Sequence, residues 1–398
     1  MSQPAPAPTR LPEVDLLRGL TMLLMVFVND LWTLQGVPTW MLHVAPDADG
    51  MGLSDTVFPA FLFIVGLSLP LSIEARRAKG DGGTELAWHV VSRSMALIVM
   101  GLYLVNGENL NAAETGMPRH VWYLCCCTAF LMIWNSYPRL PDRKWVKLFR
   151  SAGIGMLIFL AWLYRGGPEG ATYVFKPHWW GILGLIGWAY LASGLLTVAA
   201  KGRMGVVAAG WFFFAAVSML HHAHWIPRSL YPFLPEPIIG GTLTALVLGG
   251  VLTMQAFLKY RRQDGTRQMA LGFLSAAFLL YLLYLWTRPV WGLSKQHATP
   301  AWLFICSAIT LTAFLLVHVV TDVLKRPGCL SFALPAGKDT LLTYFMPHYA
   351  YALVWATGVT LPAFLLTGIP GLIKSACFAL LCSWAASGLA RLGVKLKL

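Results

Sequence analysis

The chain is predicted to be an all-α, polytopic transmembrane helical bundle of about 10–12 spans with a cytoplasmic N-terminus. Three observations predict it. The chain is 57% hydrophobic and only 12% charged, about half the ~25% charged fraction of a soluble domain. Apolar runs of about 20 residues, long enough to cross a ~30 Å hydrocarbon core, recur along its length. Lys and Arg gather in alternate connecting segments, as they do when basic loops stay inside.

Taken in order, the apolar runs place spans near residues 16–34, 55–74, 87–106, 120–137, 148–165, 181–200, 205–224, 238–258, 270–288, 301–320, 339–359 and 370–388. The first opens with Asp15 and Arg18, which is polar for a span, and the last two have soft boundaries. The segments RRAK, PRLPDRKWVK and KYRRQDGTR fall on the inner side. The long outer loop between the first two spans holds no Lys or Arg. This asymmetry explains most of the formal charge of +13 and the pI near 9.5, so the basicity requires no nucleic acid. Basic inner loops commonly touch anionic lipid heads, and they could also hold a phosphate-bearing ligand; composition does not separate these readings, of which lipid contact is the commoner.

The seven cysteines show no CxxC or Cys/His ligand spacing, so they are expected to be buried apolar thiols, with no metal site. Residues 1–10 form a short Pro/Ala tail expected to be disordered. The first span is not expected to be a cleaved signal sequence, because it is long and carries charges in its first turns.

The segment from Asn29 to Gly66 carries the chemistry. On a helix, Asp15, Arg18, Met22, Met25 and Asn29 recur every three or four residues and share one stripe. Ionisable groups at membrane depth avoid lipid, so the stripe is expected to face protein or a water-filled cavity. Arg18 and Asn29 stand about 16 Å apart along the axis at 1.5 Å per residue. That layout suits a long, thin ligand with an anionic head. The plainer reading is an Asp15–Arg18 pair at the interface with Asn29 bonded to a neighbouring helix.

His43 follows in the loop WMLHVAPDADG, which turns back at Pro46 and Gly50. The second helix starts at LSDTVFP, with Ser54 expected as N-cap and Asp55 in the first turn, where the helix dipole favours a carboxylate. An ionised Asp beside an imidazole fixes its tautomer and stabilises the imidazolium formed on proton uptake. Asn29, His43 and Asp55 are thus the parts of a general-base site with an oxyanion donor. A solvated loop histidine is the plainer alternative. Pro59 costs little so near the helix start and stiffens that end.

Other polar groups are less specific. His221, His222 and His224 offer an i, i+3 metal pair or an interfacial His/Trp belt. Glu108, Asn109, Asn111, Arg119 and His120 fill another outer loop. Lys176 with His178, and Lys295 with His297, lie in Trp-rich corners that anchor helices at headgroup level. Lys338 and Asp339 follow Gly337 at an inner helix start, which is suited to an anion.

The runs RLPEVDLLRGLTMLLMVFVND, LH and LSDTVFPAFLFIVG resemble the transmembrane heparan-α-glucosaminide N-acetyltransferases and their bacterial relatives. Asp15, Arg18, Gly19, Asn29, His43, Asp55, Phe58, Pro59 and Gly66 fall on the family pattern, which is densest over residues 10–75. HWWGILGLIGWAYL, LSKQHATPAW and GKDTLLTYFMPH extend the likeness in patches. Glu13 in place of a small residue, HVAPDADG in place of HAxWxG, and Asp339 in place of Asn depart from it.

The resemblance implies one transmembrane acyltransferase domain over residues 11–398, in a bacterial inner membrane. Acetyl-CoA would bind from the cytoplasm as co-substrate, and an amino sugar or glycan would accept the acetyl group at the outer face. It implies His43 as general base or acetyl acceptor, Asn29 as oxyanion donor and Asp55 orienting His43. Arg18, Asp15, Lys338 and Asp339 are the expected CoA-binding residues. Partners beyond these are membrane lipids and a second copy of the chain, since GGTLTALVLGG spaces small residues for helix contact. Two rivals remain: an O-acyltransferase of a surface polysaccharide, and a twelve-helix secondary transporter. The transporter reading would favour an internal repeat and matching broken helices, and the sequence has neither.

Overall fold

A computed structural model describes residues 11–139, 142–231, 233–263 and 265–396. The Pro/Ala tail of residues 1–10 lies outside them. Among the described residues, twelve long helices follow the twelve apolar runs: α1 (Pro12–Asp30), α2 (Leu53–Arg77), α3 (Gly83–Glu108), α4 (Arg119–Trp134), α5 (Arg143–Leu163), α6 (Gly181–Ala200), α7 (Met204–His222), α8 (Thr242–Arg262), α9 (Thr266–Trp291), α10 (Pro300–His318), α11 (Thr340–Thr357) and α12 (Gly368–Arg391). Nine of these, counting α10 with the turn that extends it to Val323, are long and apolar enough to cross a membrane. The other three, α1, α4 and α11, have 19, 16 and 18 residues. The chain is therefore an all-α polytopic helical protein. On α5, α7, α9 and α12 most of the apolar window is not buried within the protein. Phe212, Phe213, Phe278 and Trp286 stand exposed there, the distribution that a lipid-facing surface requires.

The first helix begins earlier than the apolar run, at Pro12 rather than near residue 16. Proline is pre-set for the first helical position, and Glu13 and Asp15 favour the positive end of the dipole. The helix also ends earlier, at Asp30, and a short 3₁₀ turn, Leu31–Thr33, follows.

The chain divides into two compact units. The first holds the described residues up to Thr21, Pro38–Val91 and Trp188–Leu334; the second holds Met22–Val37, Ser92–Gly187 and Pro335 onward. In the first unit, Leu11 just before α1 and Val14 and Leu17 of α1 pack with Phe63 and Leu67 of α2, Met254 and Phe257 of α8, Phe273 of α9 and Phe314 of α10. Helices α2 and α8 approach unusually closely. A Cβ on Gly66 would fall on the carbonyl of Val247, and one on Gly250 on the carbonyl of Phe63. The small residues of GGTLTALVLGG thus serve a contact within the chain, so they carry no argument for a second copy.

In the second unit, an aromatic cluster joins α3, α4 and α5. Trp122 is fully buried and donates its indole N–H to the Tyr103 carbonyl at 3.0 Å, while the Tyr103 hydroxyl donates to the Leu157 carbonyl at 2.8 Å.

Candidate active site

The loop before α2 is held at both ends by backbone and side-chain bonds. Gly52 caps α2, and Asp55 at the third helical position accepts the Gly52 N–H on Oδ2 at 3.0 Å. The same oxygen accepts the Val44 N–H at 3.1 Å. Ser54, expected as the N-cap, instead sits inside the first turn, and its hydroxyl donates to the Met41 carbonyl. The cap falls earlier than the sequence pattern indicates because the Asp55 carboxylate itself closes back on the N-cap amide.

With Oδ2 occupied by two amides, Oδ1 faces the imidazole. His43 Nδ1 lies 2.6 Å from Asp55 Oδ1. An ionised carboxylate only accepts, so the proton between them belongs to Nδ1 and the lone pair belongs to Nε2. Asp55 is buried, with its side chain 4% exposed, whereas His43 is 45% exposed. Among the described residues Nε2 carries no hydrogen bond. The pair therefore presents a basic nitrogen outward from a buried anchor, the orienting half of a general-base site.

Two residues complete this anchor that no local pattern identifies. Pro59 has no N–H for the Asp55 carbonyl four residues earlier. Trp302 of α10 supplies one, donating its indole N–H to that oxygen at 3.1 Å and stacking on Phe58 with ring centroids 6.4 Å apart. Lys295, in the loop before α10, brings Nζ to 3.3 Å from His43 Nδ1 and 4.0 Å from Asp55 Oδ1. Since Nδ1 already donates to Asp55, the Lys295 contact with the ring is not a hydrogen bond; the ammonium is a Coulombic neighbour of the carboxylate. Burial pushes the Lys295 ammonium below its ordinary lysine range, with Asp55 opposing that shift. The loop around His43 is tied to the same segment through Asp49, whose Oδ1 accepts the Leu293 N–H at 2.7 Å, and through the Gly50 N–H to the Leu293 carbonyl at 2.9 Å.

The stripe on α1 divides between the units. In the first, Arg18 bonds Asp15 at 3.0 Å and the Ser68 hydroxyl at 2.6 Å, so Asp15 and Arg18 form the i, i+3 pair of the plainer reading. Ser68 stands thirteen residues beyond Asp55 on α2, which sets Arg18 about 20 Å from the Asp55 end at 1.5 Å per residue. In the second unit, Met22 and Met25 are buried and Asn29 is exposed near the end of α1. Beside it, Asp30 is buried at 2%. Its carboxylate accepts from Tyr351, Lys374 and Ser375, each at 2.6 Å, and Lys374 also donates to Thr33 at 2.7 Å. The lysine within the last span thus has a buried partner. Lys338, exposed at the end of a short helix, and Asp339, at the start of α11, also belong to the second unit.

Several of the remaining sequence candidates have structural partners. His222 lies between the carbonyls of Ser218 and His297, at 2.8 and 2.9 Å, and His221 faces the Tyr231 hydroxyl at 3.1 Å. Arg119 donates to the Glu108 carbonyl at 2.8 Å, and Lys176 lies over the Tyr173 ring. Cys126, Cys127, Cys306 and Cys382 are buried, but Cys329 and Cys377 are exposed, since the face of α12 bearing Cys377 is not covered by the protein.

Residues 10–112 match the family described as heparan-alpha-glucosaminide N-acetyltransferase, catalytic. The chain is 37% identical over 99 residues to the human protein named heparan-alpha-glucosaminide N-acetyltransferase, covering 25% of this chain and 14% of that protein. It is 38% identical over 97 residues to the mouse protein of the same name, covering 24% and 14%. The matched stretch therefore spans only about one-seventh of either relative. The family match over residues 10–112 contains Asp15, Arg18, Asn29, His43 and Asp55, and it is this part of the chain that is similar to the acetyltransferase catalytic family.

Proposed function

We propose that the chain is a membrane acetyltransferase that moves an acetyl group from acetyl-CoA to an amino sugar of glucosamine type at the outer membrane face. The observation that carries this reading is the Asp55–His43 pair, which lies inside the stretch similar to an acetyltransferase catalytic domain. His43 Nε2 takes the proton of the attacking amine, or itself accepts the acetyl group, while Asp55 holds the ring and offsets the positive charge that develops on it. Asn29 is proposed as the donor to the thioester or tetrahedral oxygen, on its position in the motif. Such a donor contributes about 3 kcal/mol to transition-state stabilisation in other acyl transfers.

The interval of about 20 Å between Arg18 and the Asp55 end of α2 suits a donor that enters from the cytoplasmic side and delivers its thioester on a long arm. Arg18, with Asp15 fixing it, and Lys338 with Asp339 are the proposed contacts of the CoA phosphate end. The chain is proposed to reside in a bacterial inner membrane with its N-terminus inside.

The test uses purified protein in detergent, acetyl-labelled acetyl-CoA, and glucosamine present or absent. Labelled N-acetylglucosamine is the expected product. Label transferred only to a sugar hydroxyl would favour the O-acyltransferase reading. Absence of both CoA binding and turnover would overturn the proposal. Ping-pong kinetics would assign the covalent acetyl-histidine route over direct transfer.

A further inference from the structure

A second cluster of chemistry-bearing side chains lies in the first unit, at the end of α2 remote from Asp55, and the acetyltransferase reading does not use it. Glu13 of α1, His318 at the end of α10 and Asp322 in the following turn bring one ligand atom each within 4.8 Å of one another. Two polar atoms of this cluster are buried without a hydrogen bond. The Glu13 side chain is 1% exposed and His318 is 7% exposed. Among the described residues, Glu13 Oε2 and His318 Nδ1 have no hydrogen-bond partner. Nδ1 stands 3.6 Å from Glu13 Oε1 and 3.4 Å from Asp322 Oδ2, without hydrogen-bonding geometry to either. A buried carboxylate oxygen and imidazole nitrogen left this way cost about 1–3 kcal/mol each or more, unless something else meets them.

The spacing identifies what would meet them. Ligands each ~2.0–2.2 Å from one divalent ion in a tetrahedral site stand about 3.3–3.6 Å from each other, and the two distances from His318 Nδ1 to the carboxylates, 3.6 and 3.4 Å, match that spacing. His318 and Asp322 are four residues apart, and the turn Val319–Val323 that carries Asp322 is π-helical. Such turns recur at functional sites because they re-aim side chains. Arg261 approaches Glu13 Oε1 at 3.4 Å and Asp322 Oδ2 at 3.8 Å, so it steadies both carboxylates from outside, in the way outer partners orient metal ligands. A cavity of about 230 Å³ lined by Tyr260, Arg261, His318 and Asp322 adjoins the cluster. Asp322, 39% exposed, opens it to solvent and provides an entry path.

We propose that Glu13, His318 and Asp322 form a binding site for a first-row divalent cation of the zinc or manganese type. One imidazole and two carboxylates form a borderline-to-hard donor set that suits these ions. Two carboxylates facing one guanidinium leave an excess of negative charge, which favours a cation. The alternative is an imidazolium at His318 neutralising the carboxylates with no metal.

Chelator-treated full-length protein in detergent, titrated with Co²⁺ and then Zn²⁺, separates the two. The expected result is one equivalent bound, visible Co²⁺ absorption bands of a nitrogen/oxygen site that Zn²⁺ abolishes, and a raised thermal midpoint. Asp322→Asn, at an exposed position, and Glu13→Gln should each weaken binding about tenfold or more. A His221→Gln/His222→Gln variant, which alters the other histidine group, should leave binding unchanged. If Glu13→Gln fails to fold, Asp322→Asn alone decides. No stoichiometric binding by the unmutated protein, or binding indifferent to Asp322→Asn and lost with His221 and His222, would overturn the proposal.

Discussion

Trp302 gives its indole N–H to the carbonyl of Asp55 at 3.1 Å, filling the place that the missing amide of Pro59 leaves in the first turns of α2. A proline there would ordinarily leave a buried carbonyl unpaired at a cost of about 1–3 kcal/mol. Here that gap becomes the point at which α10 fixes the residue holding His43. Trp302→Phe keeps the ring stacked on Phe58 and removes only the donor, so it should destabilise the protein by about 1–2 kcal/mol. In a Pro59→Ala background the restored backbone N–H takes the carbonyl, and the same substitution should cost clearly less. A double-mutant cycle in thermal or denaturant unfolding measures this coupling; additive effects would remove the explanation.

Asp55→Asn should preserve KM within a few-fold and lower kcat by about 10³–10⁴-fold, because an amide no longer selects the Nδ1–H tautomer. The Val44 and Gly52 amides retain an acceptor in the Asn oxygen. Steady-state kinetics on protein of unchanged thermal midpoint checks this. An equal loss in Asp55→Asn protein that has also lost its unfolding transition would mean a structural role only.

Lys295 links the His43 loop to α10 by charge as well as by position. Its ammonium is disfavoured by burial, so the folded state releases this proton at lower pH than the unfolded chain does. Unfolded chains therefore bind more protons across the window between the two values, and stability should rise with pH there. Lys295→Met should remove that alkaline rise. Thermal midpoints of the two proteins as a function of pH test the sign; parallel curves would contradict it.

Lys374→Met should be among the most damaging changes in the second unit. It strands the buried carboxylate of Asp30, and breaking a buried pair from one side costs about 3–5 kcal/mol. Asp30→Asn combined with Lys374→Met should recover part of the loss, because no unpaired charge remains. Yield of folded protein and thermal midpoint provide the comparison, and a double variant as poor as the single one would contradict it.

The twelve long helices were legible because each apolar run is long and continuous, and only boundaries such as Pro12 and Asp30 moved. The His43–Asp55 pair was legible for a related reason: both residues lie within one short loop and the helix start that ends it, so few geometries are open to them. Contacts from distant parts of the chain left no such trace. Lys295 read as part of a Trp-rich corner, and Trp302, Asp30 and Lys374 fell within apolar runs whose pattern does not show which distant residues they meet. Glu13 registered only as a departure from the family pattern, and His318 and Asp322 carry no local signal linking them to it. Asp15 and Arg18 were placed on the right helix face, where they bond each other and Ser68.

Whether an acetyl unit passes through His43, held by Asp55, is measured most directly by comparing unmutated protein with His43→Ala. The two, matched for thermal midpoint, are assayed for labelled N-acetylglucosamine formed from acetyl-CoA and glucosamine. The account predicts product from the unmutated protein and a loss of about 10³-fold or more in the variant, with acetyl-CoA binding retained. Comparable product from both proteins would contradict it.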